Sequence, residues 1–166
     1  IVDDHFTKKV LQNRVAYPQL NLIEGDFRRR ETFDKLDDVD LIILFDVLLH
    51  QVNWTEVLSL CAEKSAIIAI HNPQFSGDKS LRLLDLGEDR YFELVPHAKE
   101  GPVYEDLFTS KEQRDSPAVW QWGICDTDLI STLNELGFEL SWSVDGQYWP
   151  NPAFQSKGFL FHKAST

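Results

Sequence analysis

Residues 39–45 (Val-Asp-Leu-Ile-Ile-Leu-Phe) narrow the possible folds of this chain more than any other stretch. A nearly uninterrupted apolar run of that length is typical of a central parallel strand covered on both faces. After it, Trp54, Val57, Leu58 and Cys61 fall at i, i+3, i+4 and i+7, which is one face of a helix. The next buried strand then reads as residues 65–70 (Ser-Ala-Ile-Ile-Ala-Ile). Strands alternating with helices at this spacing predict an α/β fold. Its sheet is doubly wound, mostly parallel and Rossmann-like, in three α/β/α layers.

The flanking sequence fits the same alternation. Residues 1–4 read as the end of a strand, and Phe6, Val10 and Leu11 predict a helix to about Ala16, stopped by Pro18. A short strand is expected over 20–27, ending at Gly25, before a charged segment at 28–38. Residues 76–126 break the rhythm with Gly77, Gly87, Gly101, Pro96, Pro102 and Pro117, and read as an irregular insertion within one domain spanning 1–166. Order returns where Asp126 or Thr127 can cap a helix carrying Leu129, Ile130, Leu133 and Leu136, with Gly137 as its left-handed stop. Two strands follow at 138–144 and 158–162 with no helix between them, so an antiparallel hairpin closes the sheet.

Composition excludes some partners. Sixteen Lys+Arg against 27 Asp+Glu give 16 − 27 = −11, and such a surface does not gather the phosphates of nucleic acid or an anionic membrane. No apolar run approaches the ~18 residues that span a bilayer. Cys61 and Cys125 lie far apart in mixed surroundings and read as isolated thiols, which points to the cytoplasm. The sequence contains no methionine and begins Ile-Val-Asp-Asp. The expectation is a removed leader or an absent segment ahead of Ile1.

Together these features resemble the class I S-adenosylmethionine-dependent methyltransferases. The closing helix, then Gly137-Phe138-Glu139-Leu140, then Gly158-Phe159-Leu160-Phe161-His162 matches the end of that family's doubly wound, seven-stranded sheet. The resemblance implies S-adenosylmethionine as cofactor and a small molecule as acceptor. It implies an acidic residue at the end of strand two for the ribose hydroxyls. Counting back 22 residues from Asp26 points to Asp4, with Asp3 the fallback. Gly25 and Asp26 would close strand three beside the adenine, with Phe27 against the ring. The turn Phe45-Asp46-Val47-Leu48-Leu49-His50 matches the end of strand four and makes Phe45 and Asp46 cofactor contacts. The family's glycine-rich first loop is not among the eight glycines, and the expectation is that it lies ahead of Ile1.

Two other readings stand beside this one. Asp3, Asp4 and Asp46 imitate the acidic cluster of a response-regulator receiver domain, where carboxylates hold Mg²⁺ and one accepts a phosphoryl group. His71-Asn72 stands where a receiver needs Thr or Ser, Lys99 is followed by Glu100 rather than Pro, and the last helix and hairpin are left unexplained. The third reading is a non-catalytic α/β interaction domain. His50 and His71-Asn72 follow the two central strands and are placed to face one crevice, where a His can act as general base. No histidine or cysteine has a metal-ligand partner at i+2 to i+4, so no metal is expected. Trp120, Trp122, Trp142 and Trp149, with Tyr148 and Phe154, could wall an acceptor pocket, and Arg82, Arg90, His97 and Tyr104 are polar candidates in the insertion. No catalytic residue is assigned from sequence. His71-Asn72-Pro73-Gln74-Phe75 does not substitute for the Asn/Asp-Pro-Pro-Tyr/Phe motif of enzymes that methylate exocyclic base nitrogens.

Overall fold

The computed structural model describes residues 2–3, 15, 18–19, 21–100, 106–116, 118–148 and 151–164. Asp4, most of the helix expected before Pro18, Tyr104 and Trp149 lie outside the described residues. Contacts divide the chain into two compact units, Ile1–Asp38 and Val39–Thr166.

In the first unit β1 (Val2–Asp3) pairs in parallel with β2 (Ile23–Glu24), Val2 opposite Ile23. The strand expected over 20–27 is therefore only two residues long. It stops because Asp26 turns the chain: its carboxylate accepts the Arg28 backbone N–H at 3.0 Å and its carbonyl accepts the Arg29 N–H at 3.0 Å. The charged segment then makes one helical turn, α1 (Arg30–Phe33), which buries Thr32 and Phe33. A Cβ on Gly25 would lie 2.8 Å from Thr32 Oγ1 and 2.9 Å from its Cγ2, so glycine is needed there for Thr32 to pack.

The second unit runs β3 (Ile42–Phe45), α2 (Trp54–Lys64), β4 (Ile67–Phe75), β5 (Leu81–Arg82), α3 (Glu88–Leu94), α4 (Lys111–Arg114), β6 (Trp122–Gly123), α5 (Asp126–Glu135), β7 (Phe138–Tyr148) and β8 (Phe154–Lys163). Its main sheet has the order β3-β4-β8-β7. β3 and β4 are parallel, with Ile42 opposite Ile68 and Phe45 opposite His71. β8 is antiparallel to both β4 and β7. The expected hairpin is thus present, but β8 enters the sheet beside β4 and leaves β7 at the edge.

β4 extends five residues beyond Ile70, so His71-Asn72-Pro73-Gln74-Phe75 belongs to the strand rather than to a following loop. The extension holds because β8 pairs along it as far as Phe75 opposite Phe154. Pro73 is tolerated for a local reason. His71 accepts the Asp46 N–H at 2.9 Å and Phe75 donates to Ile124 O at 2.7 Å, so odd residues of β4 turn their backbone groups toward the β3 side. At Pro73 β3 has already ended, and the missing N–H leaves no ladder bond unmade.

Alternation along β3 gives a one-sided strand, contrary to the expectation of cover on both faces. Leu44 is 8% exposed, whereas Ile43 is 57% and Phe45 66% exposed. The buried face collects Leu44, Ile68, Ile70, Phe159 and Phe161, and the register aligns them across three strands. Helix α2 buries Val57, Leu58 and Cys61, the stripe read from the sequence. Helix α5 begins after Cys125 with no side-chain cap, not after Asp126 or Thr127, and Gly137 follows it at φ +83°. The described part of segment 76–126 folds around Tyr91, Leu94, Leu107, Val119 and Trp120, packed against Phe154, with β5 and β6 pairing antiparallel.

Candidate functional site

The carboxyl ends of the parallel strands β3 and β4 are where an open α/β sheet receives ligands. Phe45 closes β3, and Asp46 follows it with φ +51°, the left-handed region that few residues other than glycine adopt. The conformation keeps the Asp46 N–H on His71 O while swinging the carboxylate toward the His71 ring. Asp46 Oδ1 lies 3.0 Å from His71 Nδ1, and Ser156 Oγ on β8 lies 2.7 Å from His71 Nε2. Phe45 stacks on the imidazole with ring centres 5.0 Å apart and planes 26° apart.

The chemistry of these atoms fixes the tautomer. A carboxylate only accepts, so Nδ1–H donates to Asp46. Nε2 then carries the lone pair and accepts the Ser156 hydroxyl proton. Three strands thus bring together an acid, an imidazole and a hydroxyl in one hydrogen-bonded line. The arrangement can take a proton from the hydroxyl end and stabilise the resulting imidazolium at the carboxylate end. The side chains of His71 and Asp46 are 32% and 46% exposed, open to solvent and to a bound molecule.

The other sequence candidates divide. His50 does not face the same group. It sits on a 3₁₀ turn (Leu48–His50), and its Nδ1–H donates to Val119 O at 3.0 Å. Burial lowers its pKa from the ordinary value of 6.5, against smaller opposing effects of that hydrogen bond and of the Asp46 charge. Asn72 is fully buried on the other face of β4. In the first unit, Asp26 is clamped by Arg28, whose Nε and Nη2 donate to its two oxygens at 2.8 Å each. The Arg28 side chain holds the Asp26 carboxyl below the usual carboxylate range. Phe27 is half-buried beside it. Trp120 is core, tilted on Phe154 at 4.9 Å, whereas Trp142 is 55% exposed on the same sheet face as His71. Arg82, with Ser110, Lys111 and Arg114, lines a cleft of about 510 Å³ in the folded insertion. Arg90 pairs with Glu93, and His97 lies tilted against Trp120 with ring centres 5.6 Å apart. Ser156 was not legible as a site residue: nothing in Phe-Gln-Ser-Lys-Gly marks its hydroxyl, and only the register of β8 against β4 brings it to His71. Among the described residues no cluster of three His, Cys, Asp or Glu could hold a metal ion. Cys61 is unpaired, with burial pushing its thiol up to about 12.

No protein-family model matches the sequence, and no curated protein sequence does. Solved structures do match. The N-terminal domain of EvdMO1 with SAH bound superposes with a TM-score of 0.58 at 12% identity, covering 95% of this chain and 60% of that one. Magnesium protoporphyrin IX methyltransferase (ChlM) from Synechocystis PCC 6803 with bound SAH gives a TM-score of 0.56 at 11% identity, with 94% and 58% covered. The fold is that of the class I methyltransferases. Mitomycin 7-O-methyltransferase MmcR shares it at a TM-score of 0.53 and 12% identity, with 95% of this chain and 38% of that chain covered. The chain spans about three fifths of the length of the first two structures. A methyltransferase fold accounts for what a receiver leaves unexplained. The closing hairpin is integral to the sheet, because β8 pairs along the whole of β4.

Proposed function

We propose that the chain works as an S-adenosylmethionine-dependent methyltransferase domain acting on a small-molecule acceptor. The observation that carries the reading is the class I methyltransferase sheet with a hydrogen-bonded acid and imidazole at the carboxyl ends of adjacent parallel strands. S-adenosylmethionine supplies an electrophilic methyl group on a sulfonium sulfur. The protein's task is to hold an acceptor in line with that carbon.

The residues fit such a cofactor in their chemistry. Carboxylates accept ribose hydroxyls, and exposed aromatic rings take flat or sulfonium groups. We propose Asp4, Gly25, Asp26 and Phe27 as cofactor contacts, with Arg28 holding Asp26 ionised and in place. Phe45 and Asp46 are proposed as cofactor contacts as well. The packed 76–126 segment is the proposed acceptor-recognition element, since long excursions from a compact sheet are commonly functional. The acidic balance argues against nucleic acid, and among the described residues no helix is long and apolar enough to cross a membrane. Two free, buried thiols support a reducing, cytoplasmic setting.

Isothermal calorimetry of the full-length protein tests the reading. S-adenosylhomocysteine should bind, and Asp4→Ala should weaken it about tenfold, roughly 1.4 kcal/mol. Absence of heat at millimolar ligand sinks the proposal.

A further inference from the structure

We propose that Ser156, His71 and Asp46 form a proton relay that deprotonates an acceptor hydroxyl, which makes the methyl acceptor an alcohol or phenol oxygen. The inference rests on the methyltransferase reading and deepens it. An amine lone pair or a thiolate attacks a methyl group without a base. A hydroxyl oxygen is a poor nucleophile until its proton leaves, so a built base on a methyltransferase sheet points to oxygen as the target.

The geometry suits a relay. Ser156 Oγ, 2.7 Å from Nε2, gives its hydrogen to the ring and keeps its lone pairs for an incoming O–H donor. As the acceptor's proton moves to Ser156 Oγ, the Ser156 proton moves to His71 Nε2, and the acceptor oxygen keeps the bonding pair. The imidazolium formed is held by the Asp46 carboxylate on Nδ1, 3.0 Å away, and returns its proton to water afterwards. His50 feels the Asp46 charge but turns its own ring to Val119.

Two further features argue against a network that merely ties strand ends together. Asp46 adopts the left-handed conformation at φ +51°, a strain of the kind that collects at working sites. The exposed rings and glycines beside Ser156 are the second feature, the glycines letting its neighbours pack closely. A Cβ on Gly146 would sit 3.2 Å from Ser156 Cβ, and one on Gly158 3.1 Å from Val144 Cγ1. Phe45, Val144 and Trp142 stand exposed on the same sheet face, so a flat, apolar hydroxyl compound fits better than a charged one.

The test uses the full-length protein with two acceptors of one shape, 2-naphthol and 2-naphthalenethiol, the second of which ionises without help. We expect His71→Gln to lower the naphthol-to-thiol ratio of kcat about 10²-fold. Ser156→Ala should do the same and Ser156→Thr should restore the ratio. Both His71→Gln and Ser156→Ala should bind S-adenosylhomocysteine as wild type does, which also reports that they fold. ¹⁵N NMR of the His71 ring, read without any acceptor, should find the proton on Nδ1, with that preference lost in Asp46→Asn. A protein that does not bind S-adenosylhomocysteine overturns the methyltransferase reading and this inference with it. One that binds it, yet fails to turn over 2-naphthol, keeps the ratio in His71→Gln or carries the ring proton on Nε2, overturns the relay alone.

Discussion

The two faces of the β3-β4-β8-β7 sheet are built from the same strands and carry opposite loads. On one, Leu44, Ile68, Ile70, Phe159 and Phe161 are buried and aligned by register. On the other, Ile43, Phe45, Trp142 and Val144 are exposed, and Asp46, His71 and Ser156 form a linked polar line there. A period of two sends neighbouring residues to opposite faces, so one strand can serve stability and chemistry at once. Apolar character alone therefore does not say which face is core.

The two faces differ only if the buried one is what holds the unit together. Phe161 is fully buried, and Phe161→Ala removes its contacts and leaves a cavity. The expected loss is about 3–5 kcal/mol in denaturant unfolding, with methyl transfer lost only through unfolding. A loss near that expected for an exposed residue would dissolve the distinction between faces. A smaller cost, about 1–2 kcal/mol, is expected of Gly137→Ala, which forces a Cβ into φ +83° at the entry to β7. No atom lies within 4 Å of that Cβ, so the cost is one of backbone conformation alone and should fall on stability without touching either face.

A third prediction uses pH. His50 is a half-buried imidazole whose pKa desolvation has lowered from 6.5. Below that value the unfolded chain takes up a proton that the folded one resists. Stability therefore rises with pH between the folded value and 6.5, and is lost as pH falls through the same window. His50→Gln should flatten the acid side of a stability-against-pH curve. An unchanged slope would mean that the fold does not disfavour the charged form of His50.

Much of this architecture was legible because apolar periodicity reports burial and turn chemistry reports direction. The run at 39–45, the stripe Val57, Leu58 and Cys61, and the closing hairpin each rest on such local signals. The length of β4 was not legible, since Pro73 reads as a breaker until β8 is seen to pair past it while β3 has ended. The open face of β3 was hidden for a related reason: a sequence does not say how many layers of helix arrive. Asp46 and His71 were each noticed because carboxyl ends of parallel strands collect ligands, but their bond depends on a left-handed backbone at Asp46 that Phe-Asp-Val does not announce. Ser156 was silent because it is contributed from 85 residues beyond His71.

The smallest stability effect belongs to the open face and sharpens the comparison most. Phe45 is 66% exposed, and Phe45→Ala gives up little buried area, so the unfolding free energy should change by less than about 1 kcal/mol. The ring nevertheless stacks on His71 at 5.0 Å and stands on the proposed acceptor face. Its removal should raise KM for 2-naphthol several-fold while Phe45→Tyr, which keeps the stacked ring, stays close to wild type. The same substitution in the buried face would do the reverse, unfolding the protein before any change in KM could be read. Should Phe45→Ala destabilise the unit by as much as Phe161→Ala, the outer face is core as well, and the exposed rings around His71 would have to be read as packing instead of as a place for a substrate.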